Sequence, residues 1–163
     1  MDEKAFVSLF RAHLQDVSKY LARRVEVRHI EDLASEIFEI AWRKRADCPT
    51  GFELPWLYRI ASYVLANHRR KAENRFSFLP ILDRDKTSPS AEDLALDGSD
   101  IAVAYKKLSP ADRQILSLVV FDNLTVAQCA VALGITANTA SQKLKRARAR
   151  LSKELDQLMS END

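Results

Sequence analysis

The chain has 163 residues and a formal net charge of +2, with 47% hydrophobic and 29% charged side chains. This balance is typical of a globular protein and excludes a disordered chain and a strongly basic nucleic-acid coat protein. Only three glycines and five prolines occur, which argues against a sandwich or barrel with frequent turns. Without a ~20-residue apolar run or a signal peptide, the sequence predicts a cytoplasmic protein with no membrane insertion.

The first half of the chain has apolar residues at helical spacing. The pattern predicts helices at about residues 3–24, 31–45 and 55–73. Pro49 and Gly51 interrupt the pattern between the second and third helices. No alternation typical of a strand extends over a useful length, so the predicted fold class is all-α.

The middle of the chain is polar and acidic. Residues 80–100 carry six acidic and two basic side chains, whereas the segments on both sides are mildly basic. Such composition without apolar periodicity is typical of a linker. We therefore predict two small helical domains, residues 1–75 and 101–163, joined by a flexible linker at 76–100. A single continuous domain is the alternative.

The second half carries clear signals for helix boundaries. After a short predicted helix at 101–107, Ser109 precedes a proline that suits the first position of a helix. Thr125 begins a capping box, and Gly134 suits a left-handed helix end. Thr136 then precedes a long predicted helix. Together these signals predict two helices joined by a tight turn.

Residues 125–151 therefore have a helix-turn-helix layout, whose second helix is predicted at about 137–158. Ala140, Leu144, Ala147 and Leu151 form its predicted buried stripe. The opposite face begins with short polar groups and continues with cations, as in a recognition helix that reads base edges and neutralises phosphates. The residues expected to contact DNA, here called the recognition face, are Thr136, Asn138, Thr139, Ser141, Gln142, Lys145, Arg146 and Arg148. A solvated basic helix is the alternative.

Two further lines of polar residues occur on helices of the first half. The second predicted helix carries a mainly acidic stripe, which consists of Asp32, Glu36, Glu39 and Arg43. The third carries an aromatic–basic line, which consists of Trp56, Arg59, Tyr63, Asn67 and Arg70, and Arg69 adjoins it in a basic run. Flat rings stack on unpaired bases while guanidinium groups hold phosphates. A solvated acidic face, and Trp56 and Tyr63 packed in a core, are the alternatives.

The sequence offers no pattern for a metal, a cofactor or catalysis. Cys48 and Cys129 lie far apart, and the three histidines form no metal-binding motif, so we expect free thiols. We find no nucleophile elbow, phosphate loop or carboxylate pair. The sequence therefore predicts a protein that is not an enzyme and has no cofactor or small-molecule substrate.

These segments resemble the extracytoplasmic-function group of bacterial sigma factors. DLASEIFEIAWR at 32–43 resembles the family's DLVQETFLRAWR, and PWLYRIA at 55–61 resembles its TWLYRIA. In the second half, LSPADR at 108–113 resembles LPPRER, and 124–151 resembles the family's helix-turn-helix segment. The resemblance covers nearly the whole chain apart from the linker and the last residues.

The resemblance implies an RNA polymerase sigma factor that directs the core enzyme to promoters and assists their opening. In the family, the segment matched by 32–43 binds core RNA polymerase, and the segment matched by 56–70 faces the minus-ten element. The helix-turn-helix reads the minus-thirty-five element of promoter DNA, and an anti-sigma protein is an expected partner. Residues 46–54, whose family counterpart captures a flipped base, depart from the usual loop.

Two other functions remain open on the sequence. A stand-alone helix-turn-helix regulator would use residues 125–151 but leave the first half without a role. A sigma-like decoy would bind an anti-sigma protein without contacting DNA. The cations between Lys143 and Lys153 argue against the decoy, since it needs no phosphate contacts.

Overall fold

A computed structural model of the protein describes residues 1–76 and 99–161. These ranges contain seven α-helices and one short 3₁₀ helix, and no strand is found in them. The helices form two compact units, three in the first and four in the second. The predicted all-α fold with two helical domains and a helix-turn-helix is therefore confirmed. Most of the predicted linker, residues 77–98, lies outside the described residues.

The first unit contains α1 (Glu3–Ala22), α2 (Val27–Arg43), the 3₁₀ helix (Arg45–Asp47) and α3 (Glu53–Phe76). α1 begins at a clear signal, because the Asp2 carboxylate accepts a hydrogen bond from the Ala5 amide at 2.8 Å. α2 begins earlier than the predicted residue 31, and its first turn has no side-chain cap to mark it in the sequence. α3 also begins before the predicted residue 55, because a proline is tolerated in the first turn of a helix.

Aromatic contacts join the three helices of this unit. Across α1 and α2, the ring centroids of Phe6 and Trp42 lie 5.1 Å apart and those of Phe10 and Phe38 lie 4.8 Å apart, both pairs edge to face. Across α1 and α3, the rings of Tyr20 and Tyr58 stack at 4.5 Å. The buried residues around them are mainly aliphatic: Leu9, Val17, Leu21, Leu33, Ile37, Leu57, Ile60, Val64 and Leu65.

The second unit contains α4 (Asp100–Lys107), α5 (Pro110–Val120), α6 (Val126–Leu133) and α7 (Ala137–Glu161). Its predicted caps are confirmed. The Ser109 hydroxyl accepts from the Asp112 amide at 3.2 Å, and Pro110 is the first residue of α5. Thr125 and Gln128 form the capping box of α6, with both reciprocal hydrogen bonds present.

The turn between α6 and α7 depends on Gly134. Its φ of 65° lies in the left-handed region, where glycine has no steric penalty. The Ile135 amide donates to the Ala130 carbonyl at 3.0 Å, and the Gly134 amide donates to the Val131 carbonyl at 3.2 Å. These two hydrogen bonds form a Schellman motif, which ends α6 and reverses the chain into α7.

No helix within the two described ranges is both long enough and apolar enough to span a membrane.

Candidate functional site

α7 is amphipathic in the manner that the sequence predicts. Ala140, Leu144 and Ala147 are buried, and Leu151 is half-buried. Leu144 and Ala147 pack in a cluster with α4 and α5 residues such as Tyr105 and Ile115. Every residue of the recognition face is exposed. The arrangement leaves one surface of a 25-residue helix open to a large partner.

The first turn of α7 is fixed by two threonines of the recognition face. The Thr136 hydroxyl accepts from the Thr139 amide at 3.1 Å, and the two hydroxyl oxygens lie 2.8 Å apart. Thr136 therefore caps the helix, as predicted. Exposed Asn138, Ser141 and Gln142 follow, and their amide and hydroxyl groups can both donate and accept hydrogen bonds.

The cations of α7 divide into two groups. Lys145, Arg146 and Arg148 are exposed, and none of them forms an ion pair within the described part of the chain. Arg150 differs, because its Nη1 lies 2.6 Å from Oδ2 of the buried Asp112 on α5. Burial alone would raise the pKa of Asp112, but hydrogen bonds to Arg150 and Ser109, together with the positive charges of Arg150 and Lys143, hold that pKa below its usual value.

The acidic stripe lies along α2. Asp32 and Glu39 are exposed, and Glu36 is half-buried. Arg43 is exposed, and its Nη2 lies 3.4 Å from Glu39 Oε1 in an i,i+4 pair. Both side chains of this pair are mostly in solvent, so the pair adds little to stability and remains available to a partner.

The aromatic–basic line lies on α3, but its first member departs from the expectation. Trp56 is only 7% exposed, because the first turns of α3 are buried on several sides, with Pro55, Leu57 and Tyr58 also in the core. Its ring is therefore not available for stacking on a base in this conformation. This position matches the core-packing alternative.

The rest of that line is accessible. Tyr63 is 60% exposed, which is high for an aromatic residue in a helix that packs on two others. Arg59 and Arg69 are exposed on the same helix. Arg70 donates a hydrogen bond to the Asn67 side chain, which orients the guanidinium group. This surface combines an aromatic ring with several cations.

The two cysteines are free thiols in different environments. Cys129 is buried within α6, and burial raises its pKa to about 11. Cys48 is half-buried beside the 3₁₀ helix, and its pKa is also raised, first by burial and then by the Glu53 carboxylate. Both shifts favour the unreactive thiol form. Within residues 1–76 and 99–161, no group of three or more His, Cys, Asp or Glu side chains could hold a metal.

The ion pairs that α7 makes with α4 and α5 have no signal in the sequence. Arg150 and Asp112 are separated by 38 residues, and Lys107 Nζ lies 3.6 Å from Glu154 Oε2 across a similar distance in sequence. Helical periodicity predicts which residues are neighbours on one helix. It could not predict either of these ion pairs, because each joins two helices. The short Ser109–Asp112 start signal places Asp112 in a first turn but does not reveal its partner.

Two family models match consecutive parts of the chain. The model described as sigma-70 region 2 matches residues 9–75, and the model described as sigma-70, region 4 matches residues 100–151. The first range contains the acidic stripe and the aromatic–basic line. The second contains α4, α5, α6 and most of α7.

Curated relatives carry related names. RNA polymerase sigma factor NccH from Alcaligenes xylosoxydans xylosoxydans is 29% identical, over 93% of this chain and 87% of the relative. A Xanthomonas campestris pv. campestris protein, named "Probable RNA polymerase sigma factor RfaY", is 33% identical over 83% of this chain. The chain spans only 36% of that longer relative.

Solved structures share the fold at low sequence identity. The structure of CnrH in complex with the cytosolic domain of CnrY matches with a TM-score of 0.62 and 21% identity, over 95% of this chain and 90% of that one. The sigma factor RpoE in complex with the anti-sigma factor NepR, from Bartonella quintana, matches with a TM-score of 0.64 and 20% identity, over 94% and 98%. At these identities the likeness concerns the fold alone.

Proposed function

The chain belongs to the sigma-70 family and is an RNA polymerase sigma factor, and from this premise we propose which of its surfaces binds which partner during transcription initiation. Residues 1–75 form a region-2-like domain that binds core polymerase and the minus-ten element. Residues 101–163 form a region-4-like domain that binds the minus-thirty-five element. Residues 76–100 connect them.

The main support for the proposal is the distribution of apolar, polar and cationic side chains around and along α7. Ala140, Leu144 and Ala147 bury one side, while polar groups and then unpaired cations cover the exposed side. A helix that enters the major groove needs this order, because its first turns meet base edges and its later turns pass the phosphates. In this assignment Gln142 reads a base and Arg146 and Arg148 neutralise phosphates.

The acidic stripe of α2 is proposed as the contact with core polymerase. Asp32 lies free of ion pairs in the described structure, and the Glu39–Arg43 pair beside it is exposed. Charges arranged in this way steer a partner of complementary charge and fix its register. The matched family segment has this role, which supports the assignment.

The exposed side of α3 is proposed as the contact with the minus-ten element. Tyr63 offers a ring for stacking on an unpaired base, and Arg59, Arg69 and Arg70 offer charges for the backbone. Asn67 orients Arg70 through their hydrogen bond. Trp56 supports the first turns of α3 from within the core.

Regulation is proposed to involve an anti-sigma protein. The RpoE–NepR structure supports this, because there a sigma factor of similar fold is in complex with an anti-sigma factor. The protein is proposed to work in the cytoplasm, as a subunit that is not itself an enzyme and uses no cofactor.

The salt dependence of DNA binding tests the role of α7. Holoenzyme formed with the Arg146→Ala, Arg148→Ala double variant should bind every duplex more weakly. The slope of log affinity against log salt should fall by up to about 0.9 for each phosphate contact removed. The matched control removes two exposed cations from α1, Arg11→Ala and Lys19→Ala, and should leave the slope unchanged. An unchanged slope in the α7 variant would contradict the assignment.

A further inference from the structure

Two ion pairs join the C-terminal half of α7 to neighbouring helices. Arg150 Nη1 lies 2.6 Å from Asp112 Oδ2 of α5, and Glu154 Oε2 lies 3.6 Å from Lys107 Nζ of α4. Arg150 and Glu154 are one helical turn apart, and the two pairs line the same cleft. These contacts lie beyond the turns of α7 that carry the polar residues of the recognition face.

Asp112 is a rigid anchor for this contact. It lies in the first turn of α5, and its amide donates to the Ser109 cap at 3.2 Å. Its side chain is only 10% exposed. Separating Arg150 from Asp112 would leave a buried carboxylate without its partner, which is unfavourable. The position of Asp112 therefore determines the position of the Arg150 guanidinium group.

Small side chains make up part of the inner side of α7. Ala140 and Ala147 are fully buried there, beside the larger buried Leu144 and the half-buried Leu151. Methyl groups allow helices to approach closely but form shallow ridges, so they resist sliding and rotation less than large side chains do. The long Arg150 side chain, bound at its tip to Asp112, adds a constraint on rotation that the two alanines do not supply.

We propose that Arg150 is a positioning residue for minus-thirty-five recognition and that it does not act through phosphate contact. Its ion pair with Asp112 fixes the rotation of α7 about its own axis. The direction in which Ser141 and Gln142 point follows from that rotation. This inference rests on the proposed role of α7 in DNA binding.

A small rotation is enough to matter. Side-chain tips lie roughly 6 Å from the axis of a helix, so a turn of about 10° moves them by roughly 1 Å. A hydrogen bond of about 2.9 Å stretched by that amount is no longer formed. Loss of the Arg150–Asp112 pair should therefore weaken base recognition even though no base contact is removed.

The first test measures the position of α7 in the full-length chain without DNA. Amide signals of 141–145 and contacts from the Leu144 methyl groups to Ile115 should shift in Asp112→Asn. Arg150→Ala should produce the same changes. In Arg150→Lys, part of the wild-type signals and contacts should be restored. Unchanged signals at 141–145, with changes confined to the surroundings of residue 150, would overturn the proposal. This readout needs no promoter and stands even if the proposed role in DNA binding fails.

The second test uses holoenzyme and two duplexes, one selected by the wild-type holoenzyme from a random library and one scrambled. Arg150→Ala should lower the ratio of the two affinities on the order of tenfold, while the salt slope stays as in the wild type. The matched control, Arg148→Ala, should keep the ratio and lower the slope by about 0.9. A lowered slope with an unchanged ratio in Arg150→Ala would show that Arg150 is a phosphate contact and overturn the proposal.

Discussion

At the scale of single residues, we propose different roles for neighbours on α7 because their surroundings differ. Gln142 and Arg148 face solvent without partners in the described ranges, whereas Arg150 is bound to a buried carboxylate. The sequence shows all three only as polar positions on a helix. The solvent-facing residues could be predicted from helical periodicity, but the role of Arg150 depends on a residue 38 positions away.

Gln142 is expected to select sequence rather than supply general affinity. Its side-chain amide fits adenine N6 and N7, and its exposure leaves both groups free to meet a base edge. Gln142→Ala should cost about 1–3 kcal/mol at one base pair of the promoter and little elsewhere. Binding of the variant holoenzyme to single-base variants of the selected duplex measures this. Equal losses on every duplex would contradict the assignment.

The Asp112–Arg150 pair should give the second unit an acid-sensitive component of stability. The pKa of Asp112 is lowered on folding, so its contribution is complete above the unfolded value of about 3.9 and is lost as pH falls through the folded pKa. Because Arg150 is 59% exposed, we expect Arg150→Ala to cost about 1–2 kcal/mol near pH 6. The two proteins should converge as pH falls below the folded pKa of Asp112.

Amide hydrogen exchange of α5 and α7 is the suitable measurement for this prediction. Trp42 and Trp56 both belong to the first unit, so tryptophan fluorescence would report on the other half of the molecule. Arg148→Ala provides the control, because its side chain forms no ion pair within the described residues. A difference in stability between wild type and Arg150→Ala that does not narrow as the pH is lowered from 6 through the folded pKa of Asp112 would contradict this prediction.

At the scale of elements, helices with chemical start signals were the best predicted. α5, α6 and α7 begin at the predicted caps Ser109, Thr125 and Thr136, since side-chain oxygens there accept amide hydrogen bonds. α2 has no such cap, and it begins at Val27, four residues before the predicted start. Caps are local chemistry and can be read from sequence, whereas an uncapped start depends on packing.

Trp56 shows the limit of periodicity on α3. It shares a helical line with Tyr63, yet it is buried and Tyr63 is 60% exposed. One end of α3 is enclosed by the other two helices, and the other end extends into solvent. The spacing of residues in the sequence predicts which of them share a face of a helix. It does not predict how much of that face is buried by neighbouring helices.

The proposed contact between the acidic stripe of α2 and core polymerase can be tested by reversing a charge. Asp32→Lys should weaken the binding of the full-length protein to core RNA polymerase about tenfold, because it reverses a charge that faces a complementary partner. The matched control is Glu31→Lys, which changes another exposed residue about 100° around the helix. Equal effects of the two substitutions on the measured affinity for core would contradict a specific contact at the stripe.

At the scale of the whole molecule, the two units match two regions of one family. Region 2 and region 4 of the sigma-70 family are matched in sequence order over residues 9–75 and 100–151. Each unit has its own buried core, and each carries one of the exposed surfaces proposed to bind a partner. The sequence could predict both units because their motifs are local, while the individual contacts within each core had to come from the structure.

Run-off transcription from fragmented bacterial genomic DNA is the most direct test of the central claim. Core RNA polymerase with this protein should produce transcripts that core alone does not, and their upstream sequences should share two elements. Polymerase supplemented with another sigma factor shows that the core preparation is active. Absence of new transcripts from that active core would contradict the account.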